Sequence, residues 1–218
     1  MAEEQTREYY SRRAAEYEQI YYREMPERRK EIDDEAIFVK NLASGCDVLD
    51  LACGTGYWTQ IMADTAKSIV ALDLSWEMLH QAGKKEYRYV PSFVQADLER
   101  LPVAVREFDL VTLGFWFSHQ SKQDYEAFFD RIVRPLRPGG RIWLIDNNPP
   151  AEGPMVDSAY VDEHGNNYKQ RFLDSGDQFV ILKNYFERSD LEDVFGGRFG
   201  IERLLHNRYY WSILLSLK

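Results

Sequence analysis

Cysteine is nearly absent from this 218-residue chain, which has only Cys46 and Cys53. A disulfide framework is therefore excluded. The two residues frame one apolar segment, and a straight strand of that length holds them too far apart to pair. No Cys/His spacing typical of a zinc site occurs, so no metal is expected. No apolar run approaches the roughly 20 residues that a membrane helix needs. The acidic start is unlike a signal peptide, so the expectations are no membrane partner and a cytoplasmic location. An excess of basic residues is also missing. The 27 Lys and Arg stand against 36 Asp and Glu, for a net charge of −9. Phosphate backbones need clustered cations, which argues against nucleic acid as the main partner. Residues 23–30 are mixed in sign and read as a solvated helix face. Internal repeats and low-complexity tracts are absent too. What is left is one soluble domain of ordinary composition, a monomer or homodimer, large enough to bury a sizeable core.

The most informative segment is Val48-Leu49-Asp50-Leu51-Ala52-Cys53-Gly54-Thr55-Gly56-Tyr57-Trp58-Thr59. An apolar run rich in strand formers enters a glycine-rich turn, and a helical pattern follows. Gly54 and Gly56 let the backbone take unusual angles and lie close to a ligand. The free N–H groups of the next helical turn favour an anion. A second apolar run ends at Asp73, and a carboxylate about 20 residues past such a loop suits a pair of ribose hydroxyls. A nucleoside-containing cofactor is therefore expected. A dinucleotide fingerprint would place a third glycine where Thr59 stands.

The order Asp50, Ala52, Gly54, Gly56 resembles the first motif of class I S-adenosylmethionine-dependent methyltransferases, with Ala52 in place of the first of three alternating glycines. The resemblance continues along the chain. Asp73 matches the family's ribose-binding acid. Phe93-Val94-Gln95-Ala96-Asp97-Leu98 is similar to the third strand and the adenine loop. Phe108 to Gly114 is similar to the fourth strand, and Leu136-Arg137-Pro138-Gly139-Gly140 to the turn into the fifth. The motifs span residues 45–146, and the last strand extends the match to the C-terminus. The resemblance implies S-adenosylmethionine as cofactor and a single doubly wound, Rossmann-like α/β domain. Its seven-stranded, mostly parallel sheet has an antiparallel last strand, helices on both faces and an N-terminal helical lid. The expected parts are a helical cap over 1–44, a cofactor-binding core over 45–146, a loop and hairpin insertion over 147–187, and a closing helix and strands over 188–218.

The periodicities agree with this division. Helices are expected over 4–22, with tyrosines at Tyr9, Tyr10, Tyr17, Tyr21 and Tyr22, and over 26–42. Strands and helices then alternate: strand 46–51, helix 57–66, strand 68–73, helix 75–85, strands 91–95 and 107–113, helix 122–134, strand 140–146. Such alternation implies a parallel sheet with the ligand at the carboxyl ends of its strands. Asn147-Asn148-Pro149-Pro150 and Gly153-Pro154 are loop chemistry. Residues 168–173 and 179–182 flank a turn at 174–177 and read as a hairpin. A short helix with Ser189 as N-cap and two closing strands, 199–205 and 208–217, complete the chain.

Methyl transfer from a sulfonium is an in-line displacement in which alignment is the protein's main task. A base is needed only for an acceptor that arrives protonated. The resemblance gives Gly54, Gly56 and Ala52 the cradle, and Asp50 the turn or the cofactor's amino group. Asp73 and the adjoining Leu74 go to the ribose, Asp97 to the adenine amine and the Leu98 N–H to the ring. Met78 packs the adenine or simply fills core. His119, after the fourth strand, is the candidate general base. Phe115, Trp116 and Phe117 wall an acceptor site or belong to the core. Tyr9, Tyr10, Arg13 and Tyr17 share a helix face, and in similar small-molecule methyltransferases such a segment covers cofactor and substrate. Tyr17 and Tyr9 are therefore placed over the sulfonium, with Tyr17 a candidate catalytic residue. His164 and Arg171 could read an acidic acceptor. Cys53 is expected to be a packing residue. The expected acceptor is a small molecule methylated on oxygen or nitrogen. Two alternatives stand beside this reading: a nicotinamide-dependent oxidoreductase, against which Thr59 and the Leu-Arg-Pro-Gly-Gly turn argue, and a protein that binds S-adenosylmethionine without transferring its methyl.

Overall fold

The computed structural model describes residues 2–14, 17, 25–149 and 159–218. Tyr21, Tyr22, Pro150, Gly153 and Pro154 lie outside these residues. Strands β1 (Asp47–Leu51), β2 (Ser68–Asp73), β3 (Ser92–Gln95), β4 (Phe108–Gly114), β5 (Leu136–Asn147), β9 (Phe199–His206) and β10 (Tyr210–Leu217) form the main sheet, in the order β3-β2-β1-β4-β5-β10-β9. β1 to β5 pair in parallel, and β10 runs antiparallel between β5 and β9. This is the expected doubly wound sheet with its antiparallel last strand.

Alternation along the strands supplies two cores. Leu49, Leu51, Val111, Leu113, Ile142 and Leu144 face α5 (Tyr125–Val133) and α6 (Arg188–Gly196). Val48, Ala71, Leu110, Trp143 and Ile145 face α2 (Pro26–Leu42) and α3 (Tyr57–Met62). Both faces are covered, so β1 is buried at every position, as a parallel central strand must be. α4 (Trp76–Ala82) starts at Ser75, whose hydroxyl accepts the Met78 N–H at 3.2 Å.

The structure corrects several boundaries. α3 and α4 are shorter than 57–66 and 75–85, because turns close at Ala63 and Gly83. β5 begins at Leu136, since that residue pairs with Phe108 across an irregularity in the register. α6 is capped by Glu187, not Ser189: the Glu187 N–H donates to Asp190 at 2.8 Å in a reciprocal capping box. The expected hairpin, β7 (Asn167–Phe172) and β8 (Gln178–Leu182), gains a third strand, β6 (Tyr160–Val161), paired to β7. α1 (Ala2–Arg13) lies across this small sheet. Its Gln5 side chain accepts the Val180 N–H at 2.8 Å, its Tyr9 packs on Phe179 and Ile181, and its Arg12 pairs with Asp177.

Candidate active site

The glycine loop leaves β1 through three left-handed residues, Ala52 (φ 50°), Gly54 (φ 56°) and Gly56 (φ 78°). A Cβ at Gly54 would meet no atom within 4 Å, so the backbone there borders open space. At Gly56 it would strike the Tyr87 hydroxyl at 2.8 Å. Ala52 tolerates a backbone that favours glycine, which is the strain expected of a functional turn. Phe115, at the end of β4, shares that property with φ 60°. Between these strand ends runs a cleft of about 310 Å³, its open mouth included, lined by Tyr17, Asp50, Ala52, Gly54, Trp58 and Gly114 among others.

The acids of this cleft are held from behind. Asp50 is 2% exposed and accepts the Thr59 hydroxyl at 2.5 Å and the Thr112 hydroxyl at 2.8 Å. Thr59, standing where a dinucleotide loop has glycine, clamps helix α3 to β1. Burial raises the Asp50 carboxyl to about 6, the two hydroxyls opposing and Asp73 adding to the rise. Asp73 accepts the Gly54 N–H and the Ser75 N–H, each at 2.8 Å. With about four lone-pair sites on its two oxygens, and Leu74 N–H as a third backbone donor, the carboxylate keeps capacity for a further donor. Burial raises its pKa also, against those amides. Trp58 Nε1 is buried with no hydrogen-bond partner, an unmet donor in the cleft wall. Two carboxylates with spare lone pairs, open space at Gly54 and an orphan N–H fit a ligand with an amino group, a diol and a polar tail. Burial, Asp73 and Asp50 push the Cys53 thiol well up, which makes it inert rather than nucleophilic.

In the loop after β3, Asp97 caps a short 3-10 turn at Leu98–Arg100 through the Glu99 N–H at 2.9 Å. Its other oxygen pairs with Arg7 of α1 at 3.1 Å. Leu98 packs against the core, Met78 is buried in α4, and Leu74 is partly exposed beside Asp73.

A second cluster of polar side chains lies beyond Tyr17. The Tyr17 ring meets Tyr10 at 5.9 Å, edge to face, and Tyr10 meets His119 at 5.2 Å. His119 sits in the 3-10 turn Phe117–His119 after β4. Its Nδ1 lies 2.5 Å from the Leu182 carbonyl oxygen, which can only accept, so Nδ1 carries the proton. Its Nε2 therefore accepts the Tyr10 hydroxyl at 2.8 Å. Burial first, then the charges of Lys183 and Arg171, lower the imidazole to about 3, against the pull of Asp146. Lys183, following β8, is buried and donates to Ser118 Oγ at 2.6 Å and Asp146 Oδ1 at 2.9 Å. Asp146 is fully buried at the end of β5 and also accepts the Ser118 N–H at 2.9 Å. Its desolvation is outweighed by Lys183, and its pKa is lowered.

Asp50, Ala52, Gly54 and Tyr17 line one cleft, and Asp73 bonds its loop. Tyr9 packs toward the hairpin, its hydroxyl accepting Arg13 at 2.8 Å. Trp116 and Phe117 pack into the aromatic core, and Phe115 lies against Trp58 and Tyr210. His164 is on an exposed loop with Glu163. The sequence reading missed Lys183, Asp146 and Arg7. A lysine continuing the alternation of Phe179 and Ile181 was the available signal.

Residues 48–140 match the family described as "Methyltransferase domain". Among curated proteins, demethylmenaquinone methyltransferase of Lactococcus lactis subsp. lactis (strain IL1403) is 34% identical over 113 residues, 49% of this chain and 44% of that one. The chain spans about half the length of the curated relatives it matches. Among solved structures, DhpI in complex with SAH has a TM-score of 0.75 at 25% identity, covering 98% of this chain and 96% of that one. DhpI in complex with SAM and HEP has a TM-score of 0.73 at 26% identity, covering 98% and 97%.

Proposed function

We propose that this chain, a class I S-adenosylmethionine-dependent methyltransferase by its motif order, domain and fold, moves a methyl group from S-adenosylmethionine to an oxygen or nitrogen of a small-molecule acceptor. One observation carries the reading. The edge-to-face pair Tyr17–Tyr10 joins the glycine-loop cleft to His119, so a cofactor in the cleft would face the His119 cluster at the carboxyl edge of β1, β4 and β5. When bound, the cofactor supplies an activated methyl on a good leaving group. The chain's residues then align and desolvate the reactants. Gly54 admits the ligand, Asp50 attracts its amino group, Asp73 takes the ribose hydroxyls and Asp97 the adenine amine. Trp58 Nε1 offers a donor to the polar tail.

His119 takes a positioning role. A group held near 3 is a weak general base at pH 7, and its free nitrogen already receives the Tyr10 hydroxyl. The pair orients the acceptor's reacting atom rather than storing its proton. A second reading, carbon methylation of a quinone-type acceptor, is supported by the demethylmenaquinone methyltransferases among the relatives. Calorimetric titration of the purified chain with S-adenosylhomocysteine and with NAD tests the cofactor. Micromolar binding of the former, weakened at least a hundredfold (about 2.7 kcal/mol) in Asp73→Ala, is expected. Binding of NAD instead would overturn the reading.

A further inference from the structure

The hairpin turns one face inward. Antiparallel pairing sets Lys169 opposite Ile181 and Arg171 opposite Phe179, and alternation puts Lys183 on the same face. Phe179 and Ile181 pack on Tyr9, which identifies this as the face toward α1. His119 bonds Leu182 and Lys183 bonds Ser118, so the turn after β4 docks on the hairpin here. An inward sheet face normally bears apolar residues. This one bears three cations. Lys169 is 2% exposed, with its ammonium 5.4 Å from the centre of the Tyr185 ring. Lys183 is 6% exposed, and Asp146 balances its charge. Arg171 is half-buried beside the Tyr185 hydroxyl and makes no ion pair among the described residues.

We propose that Arg171 and Lys183 form an oxyanion subsite, which holds an acidic group of the methyl acceptor, a carboxylate or a phosphorus acid, beside the Tyr10–His119 pair. Only the word acceptor rests on the methyltransferase reading; anion binding does not. The planar guanidinium matches a carboxylate or tetrahedral oxyanion with two parallel N–H bonds. Lys183 commits two of its three N–H groups, to Ser118 and Asp146, and keeps one for a ligand. Beside them stand the Tyr185 hydroxyl and the neutral imidazole of His119, whose Nε2 holds the Tyr10 proton, rather than a second acid. The field of Arg171 reaches Tyr10, His119, Lys183 and Tyr185, which belong to three separate parts of the chain. The guanidinium therefore faces this buried cluster and not only the solvent. An acid group placed there is desolvated against fixed positive charge, whereas an amine would meet like charge.

The test is calorimetry on the full chain with methylphosphonate, inorganic phosphate and acetate in turn, with and without saturating S-adenosylhomocysteine. Uncharged dimethyl methylphosphonate is the control, and Arg171→Gln the variant. At least one anion is expected to bind with a Kd below about 1 mM, the neutral ester not to bind, and the variant to weaken the anion roughly tenfold. Its S-adenosylhomocysteine affinity and Tm should stay unchanged, since Arg171 touches neither the cleft nor a buried ion pair. Preference for the phosphorus acids, or for acetate, assigns the class of acid. The proposal is overturned if no anion binds, if the variant binds as well as the parent, or if the neutral ester competes equally. Anion binding without S-adenosylhomocysteine binding would overturn the methyltransferase reading and leave the subsite standing.

Discussion

The two ends of the candidate site are built on opposite principles. The glycine-loop cleft presents carboxylates, Asp50 and Asp73, secured by threonine hydroxyls and backbone amides. The hairpin presents cations, of which Lys183 is secured by a buried acid. Their pH responses are opposite in sign. Asp50 is raised from 3.8 to about 6. Its contribution to stability is full below about 4 and is lost as pH rises through 6. His119 is lowered from 6.5 to about 3. Its contribution is full above about 6.5 and is lost as pH falls toward 3. One end loosens as pH rises and the other as it falls, so between about pH 4 and 6 the two changes oppose each other. A charge of either sign can be stored in a dry site, provided its compensation is built first.

The sharpest way to break this contrast is at Lys183. Lys183→Met strands Asp146 as a buried, unpaired charge, and a loss of roughly 3–5 kcal/mol in urea unfolding is expected. Adding Asp146→Asn should restore most of it. A single variant as stable as the parent would mean that the pair is not buried as a charge pair. Next in size is the pH response of the cleft. Asp50→Asn removes the raised carboxyl, so its stability relative to the parent should improve by about 1–3 kcal/mol between pH 4.5 and 7.5. A pH-independent difference would refute the burial account. On the proposed reading, S-adenosylhomocysteine binding by the parent also weakens below pH 6, as Asp50 takes up a proton. The smallest effect belongs to Tyr10→Phe, which leaves His119 Nε2 without its donor and should cost about 1–2 kcal/mol. Nitrogen NMR of the imidazole should still report the proton on Nδ1 between pH 5 and 8.

The same contrast explains what could be read from sequence. The cleft is contiguous: residues 48–59 supply its floor, and Asp73 ends the adjacent strand, so spacing alone brought them together. The hairpin end is assembled across the chain. Tyr10 and His119 are 109 positions apart, and Lys183 and Ser118 are 65. Neither local propensity nor a short motif encodes such pairs; they depend on how α1 and the hairpin settle on the sheet. The hairpin itself was legible from its turn at 174–177, yet the strand β6 was not, being two residues long. Asp97 shows the limit within a motif. Its place was expected from its strand and spacing, but the Arg7 partner comes from a helix 90 positions away.

Gln5 gives α1 a use beyond packing. β8 is the edge of its small sheet, and the Val180 amide finds its acceptor in the Gln5 side chain rather than in another strand. That proton can exchange with solvent only while α1 has let go. The exchange rate of one amide therefore counts the openings of the helix that spans both ends of the site.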